Sequence, residues 1–172
     1  MMNKKKLQEL IDKDEITEKI LRWARGCDRA ELEAMASAYH EDAMDRHASL
    51  YKTGQDMSKF LEEWSLAMPV VNHHISNILI DLYGDVALAE TYVLATTTDE
   101  KKVVNVLGGR YLDRFERRGG EWKIADRKSV VDWGFQVPET FGFDEEFIEF
   151  IGPRGGKMPS DELYELLNSS TR

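Results

Sequence analysis

Cysteine, positive charge and long apolar runs are all scarce in this sequence. Among its 172 residues there is one cysteine, Cys27, so no disulfide can form within the chain and no cysteine-built metal centre is available. A single thiol suits a reducing, cytoplasmic compartment. No stretch approaches the roughly 20 apolar residues that span a bilayer. The N-terminal "MMNKKKLQEL" carries three lysines with no apolar run behind them, so it does not read as a secretory signal. The net charge is −9. An acidic surface repels phosphate backbones and anionic lipid, which argues against nucleic acid or membrane as a partner.

What is present is an ordinary globular composition, 42% hydrophobic and 32% charged, in a chain long enough to bury a substantial core. From Lys6 to Arg25, apolar residues at Leu7, Leu10, Ile11, Ile16, Ile20, Leu21 and Ala24 make a helical stripe, with Gly26 as its expected end. Asp28 then opens a second helix, "RAELEAMASAY", with Glu31 three residues on as in a capping box. A polar stretch with a short strand over Ala43 to Leu50 follows. A third helix, Met57 to Ala67, is stopped by Pro69.

Strand patterns take over from there: His73 to Leu82, Val86 to Thr97, Val103 to Arg117 and Trp122 to Trp133, joined by turns such as "YGD" and "RGGE". Helices followed by an antiparallel meander predict an α+β domain, its helices packed on one face of a curved sheet with a cavity at the mouth. Residues 1–134 are read as that domain. Residues 135–172 are read as a tail with short helices near Asp144–Ile151 and Asp161–Leu167. Its Phe135, Phe141, Phe143, Phe147 and Phe150 are expected to cover the cavity mouth or a subunit interface.

Few residues suggest chemistry. His73 and His74 open an apolar strand, "VNHHISNILIDLYGD". Strict alternation puts His73 with Ile75, Asn77 and Leu79, and His74 with Ser76, Ile78 and Ile80. Both faces are apolar, so alternation does not say which imidazole turns inward. Asp28 is either a helix cap or the carboxylate that fixes a histidine tautomer. Arg110 and Arg127, on strands among apolar neighbours, are either outward and paired, with Asp113 and Glu116 at hand, or cavity cations for a developing anion. His47 either lines the pocket or sits in a surface loop, and His40 reads as a solvated helix cap. No zinc spacing, dinucleotide loop or G-x-S-x-G elbow occurs, so any catalysis is expected to need no cofactor and no metal.

The stretches "ARGCDRAELEAMASAYHEDAM", "HHISNILIDLYGDVALAE" and "LGGRYLDRFERRGGEWKIADRKSVVDW" together resemble the SnoaL-like branch of the nuclear-transport-factor-2-like superfamily, over Leu7 to Trp133. That resemblance implies a cone-shaped α+β barrel, a homo-oligomer (a trimer in this branch) and a small-molecule substrate. It also brings in scytalone dehydratase and hexachlorocyclohexane dehydrochlorinase, which are cofactor-free lyases. By similarity, His73 is the base, Asp28 its orienting acid and Arg127 a cavity arginine. His47 and Arg110 match the "DRH" and "GGRY" patterns, and Trp23, Tyr39, Tyr51, Tyr111 and Trp133 are candidate pocket rings for a bulky aromatic substrate. The scytalone dehydratase pattern has a tyrosine where Cys27 stands and a second histidine on the third strand, so scytalone itself is not expected. The expected function is a lyase of dehydratase, dehydrohalogenase or formaldehyde-eliminating type. The alternatives are an isomerase of the same fold and a non-catalytic, ligand-binding or β-subunit-like module.

Overall fold

The computed structural model describes residues 4–101, 103–137, 145–152 and 155–169. The chain runs α1 (Lys4–Arg29), α2 (Leu32–Ala36), β1 (Tyr39–His47), β2 (Leu50–Thr53), α3 (Gly54–Ala67), β3 (Val70–Tyr83), β4 (Val86–Thr98), β5 (Val104–Arg118), β6 (Glu121–Val137), α4 (Glu145–Ile151) and α5 (Glu162–Ser169). The expected α+β arrangement is found. Six strands form one curved, unclosed sheet in the order β2-β1-β6-β5-β4-β3, antiparallel except where β1 runs parallel to β6. The meander from β3 to β6 follows from its tight turns, with Gly84 and Gly119 at positive φ. The core lies between helices and sheet and is built on Trp23, Trp122, Phe115, Ile16, Ile20, Met35, Met57 and Ile124, all essentially sealed.

Several local expectations change. The buried stripe of α1 is Asp12, Ile16, Ile20, Trp23, Ala24 and Cys27, whereas Leu7, Leu10, Ile11 and Leu21 stay exposed. Asp12 is an interior polar anchor, accepting bonds from Trp122 Nε1 at 3.1 Å and Arg117 Nη1 at 2.8 Å. Gly26 does not end the helix. A Cβ there would lie 3.0 Å from Met35 Cγ, so glycine lets α2 pack closely. The helix ends at Ala30 (φ 56), where Glu31 N–H donates to Gly26 O at 2.8 Å in a Schellman closure. Asp28 therefore lies in the last turn of α1 and caps nothing. The cap residue of α2 is Glu31, with no side-chain cap bond. His40 is not a solvated cap either: it lies buried on β1, 2.9 Å from Glu116 O through Nε2.

The strand that opens with two histidines contains a bulge between Ile75 and Ile78. The extra residue resets the alternation, so His73 and Ile75 share the inner face with Ile78, Ile80 and Leu82. Strict alternation had split that set between two faces. Phe135 belongs to β6, and Phe147 and Phe150 are exposed at 41% and 82%. Phe141 and Phe143 lie outside the described residues.

Candidate active site

Where α1 ends, Asp28 meets the start of β3. Its Oδ1 lies 2.6 Å from His73 Nδ1, and its Oδ2 accepts the His73 backbone N–H at 3.1 Å. One carboxylate thus fixes both the ring and the strand that carries it. The His73 side chain is 6% exposed, while neighbouring His74 is exposed on the opposite face. With Nδ1–H donated to Asp28, Nε2 is left as the free base nitrogen.

His73 borders a cavity of about 880 Å³, walled mainly by apolar groups such as Leu61, Trp64, Val93 and Leu107, with Asn105 and Gln136 among its polar lining. That size suits a drug-sized or two-ring molecule. Among its described lining residues there is no carboxylate and no lysine. Cys27 also borders it, but burial and then the Asp28 carboxylate push its thiol up to about 12, so it stays protonated and is a poor nucleophile.

The other predicted site residues separate into three groups. His47 and Tyr111 line the cavity beside His73. Trp23 forms the layer beneath, its ring 6.2 Å from both His47 and His73 and 5.2 Å from Tyr111. Burial, with the Arg127 charge and then His73 adding to it, brings His47 down to about 4, so it is neutral at physiological pH.

Arg127 and Tyr39 lie deeper, away from the cavity lining. Arg127 is fully buried and makes two 2.7 Å bonds, from Nε and Nη2, to the equally buried Asp113. Its guanidinium also sits 4.1 Å from the Trp23 ring centroid and 4.6 Å from that of Tyr111. Burial opposes its charge, but Asp113, Tyr39 and Asp45 outweigh this and hold the guanidinium more basic than usual. The Tyr39 hydroxyl donates to Asp45 at 2.5 Å. Burial raises Asp45 to about 6, a rise that Arg127 and the Tyr39 bond only partly offset.

Arg110, Tyr51 and Trp133 point elsewhere. Arg110 borders the cavity, yet its guanidinium is held by Asp132 at 3.0 Å and Glu90 at 2.7 Å, not by the Asp113 or Glu116 suggested by the sequence. Tyr51 is 59% exposed and lies under Arg46, and Trp133 is 52% exposed and stacks on Phe135.

One acid and one base were not singled out from sequence, whereas Asp113, named there as an acid at hand for a strand arginine, does pair with Arg127. Asp45 was findable, since it alternates with the inward residue His47. Lys157, whose Nζ donates to Asp28 O at 2.8 Å, had no local signal, because 129 positions separate the two. Among the described residues no group of three or more His, Cys, Asp or Glu is placed to hold a metal ion. Nor is any described helix long and apolar enough to cross a membrane.

A family model described as a SnoaL-like domain matches residues 8–128. No curated protein matches the chain. Among solved structures, a scytalone dehydratase candidate from Novosphingobium aromaticivorans DSM 12444 aligns with a TM-score of 0.69 and 23% identity, covering 78% of this chain and 97% of that one. A hexachlorocyclohexane dehydrochlorinase, LinA-type3 from Novosphingobium barchaimii LL02, aligns at 0.72 with 18% identity over 81% and 98%. A candidate aromatic ring hydroxylase from Novosphingobium aromaticivorans aligns at 0.68 with 18% identity over 74% and 94%. At these identities the structural matches speak to fold, and one fold carries differing activities.

Proposed function

The chain belongs to the SnoaL-like domain family, and from that membership we propose that it is a cofactor-independent lyase acting on a bulky, aromatic small molecule. One observation carries the reading: the His73 ring, locked by Asp28 at 2.6 Å, borders a large and mainly apolar cavity. In an elimination, His73 Nε2 takes a proton from carbon or from a hydroxyl. The released electron pair forms the new double bond, and the bond to the leaving group breaks with its electrons going to that group. Asp28 stabilises the imidazolium so formed. A positioned base of this kind contributes about 10²–10⁴-fold.

His47 and Tyr111 face the substrate as neutral hydrogen-bonding groups. Arg127 acts from behind Trp23 and Tyr111: its charge is committed to Asp113, so its part is to hold the cavity floor rather than to touch the leaving group. The solved neighbours include a dehydratase candidate and a dehydrochlorinase, which supports the reaction class. The proposal extends to a homo-oligomer, a trimer by family resemblance. Leu79, Leu88, Tyr92 and Leu112 stand exposed on the sheet face away from the helices, apolar side chains that a partner subunit would cover.

The test is a mass-spectrometric screen of bulky aromatic alcohols and halides, run in D₂O. A lyase yields a product lighter by water, hydrogen halide or formaldehyde, whereas an isomerase loses no atoms and yields a product heavier only by the deuterium it takes up. The expected result is elimination that His73→Ala reduces by about 10²-fold or more and His74→Ala leaves largely intact. Turnover that survives His73→Ala would overturn the assignment. Tight ligand binding with no turnover would make the chain a binding module.

A further inference from the structure

Helix α1 has four C-terminal carbonyls that its own backbone cannot satisfy, and Asp28 sits among them. The structure gives each a partner. Gly26 O takes Glu31 N–H at 2.8 Å, and Cys27 O takes the Ser65 hydroxyl of α3 at 2.7 Å. The last two partners come from far along the chain. Asp28 O accepts from Lys157 Nζ at 2.8 Å, and Arg29 O accepts from Met158 N–H at 2.9 Å. Lys157 Nζ also reaches Ser65 Oγ at 2.9 Å, tying the second and third supports together.

The segment bringing these donors is itself anchored. Asp161 accepts the Gly156 and Leu163 N–H groups and lies 3.4 Å from Arg29 Nε. The Tyr164 hydroxyl donates to Glu31 at 2.6 Å. All of it lies beyond the stretch matched by the family model, which ends at residue 128.

We propose that the segment from Gly155 to Ser169 is a clamp on the Asp28–His73 pair, with Lys157 as its positioning residue. The Lys157 ammonium sits at the negative end of a 26-residue helix, where a cation is favoured. It holds the peptide oxygen of the same residue whose carboxylate orients His73, so a small drift of the helix end would lengthen the 2.6 Å bond. Lys157 is partly desolvated, and burial lowers its pKa, while Asp28 and Cys27 pull it back towards the charged form and Arg29 opposes them.

This rests on the dyad reading of the site, but its test needs no substrate. Proton NMR of nitrogen-15-labelled full-length protein follows the His73 Nδ1 proton, which a short bond to a carboxylate moves far downfield. In Lys157→Met this resonance should broaden, or exchange with water about tenfold faster, while circular dichroism stays native. Lys157→Arg, which keeps the charge, should restore most of the protection. Tyr164→Phe, which loosens the anchor but leaves Lys157, should have a smaller effect of the same sign.

An unchanged resonance and unchanged exchange in Lys157→Met would overturn the clamp. So would a Lys157→Met chain that fails to fold combined with a Tyr164→Phe chain of native exchange, since Lys157 would then serve stability alone. A clamp confirmed in a protein that turns over none of the screened compounds would leave this inference standing and remove the lyase reading. Turnover with an unresponsive resonance would do the reverse.

Discussion

Asp113 grips Arg127 through two parallel 2.7 Å bonds, and neither side chain is exposed at all. A pair so buried is specific but not strongly stabilising, because both ions have left water. Breaking it is another matter. Asp113→Leu strands a guanidinium in the core and should cost about 3–5 kcal/mol, as should Arg127→Met for the stranded carboxylate. The double variant should recover much of that loss. Urea denaturation of the two single variants and the double checks the non-additivity, and additive losses would count against a coupled pair.

Asp45 and His47 alternate on β1, and both are shifted by burial, in opposite senses. Asp45, raised from 3.8 to about 6, contributes stability below its unfolded pKa that is lost as pH rises from about 4 to 6. His47, lowered from 6.5 to about 4, contributes stability above its unfolded pKa that is lost as pH falls from about 6.5 to 4. The two slopes largely cancel in the native protein. Asp45→Asn should unmask the histidine and lose about 3 kcal/mol on acidification across that window. His47→Gln should leave the opposite slope. Thermal melts from pH 4 to 7 read both, and parallel profiles for the two variants would refute the scheme.

The adjacent glycines of β5 should respond unequally to alanine. A Cβ on Gly109 would lie 2.3 Å from the Val130 carbonyl oxygen, which is backbone in the next strand and cannot swing aside. A Cβ on Gly108 would meet the Trp133 indole at 2.2 Å, but that ring is half exposed and has room to move. Gly109→Ala is therefore expected to cost about 3 kcal/mol and Gly108→Ala about 1 kcal/mol, as judged by denaturant midpoints.

Ala30, at φ 56, holds the left-handed position that closes α1. Ala30→Gly should relieve about 1 kcal/mol and raise the melting temperature, provided the closing Glu31-to-Gly26 bond is kept. A fall in melting temperature would show that the Ala30 methyl, nearly fully buried, is worth more in packing than its backbone costs.

The four long strands and the third helix were legible because burial on one face writes a period into the sequence, and glycine-rich turns punctuate it. The inner face of β3 was not legible, since a bulge leaves no compositional mark and both faces of "HHISNILI" are apolar. Asp28 does contact His73, but the capping box its sequence suggested is absent because α1 runs on through it. Gly26 reads as a terminator when its actual constraint, the closeness of Met35, is a tertiary fact. The role of Arg127 could be misjudged because sequence gives a strand position but not depth, and this guanidinium stops one layer of rings short of the cavity.

The β3 bulge separates two stretches of strand that keep independent time. The Ile78–Leu82 part is set by the core, and the Val71–Ile75 part by its pairing with β4 and by Asp28, which holds the His73 backbone N–H. Deleting either Ser76 or Asn77 would remove only the surplus residue, so plain alternation back from Ile78 would still turn Ile75 and His73 inward and leave His74 in water. A single codon loss there would thus straighten the strand without passing the base from one histidine to its neighbour.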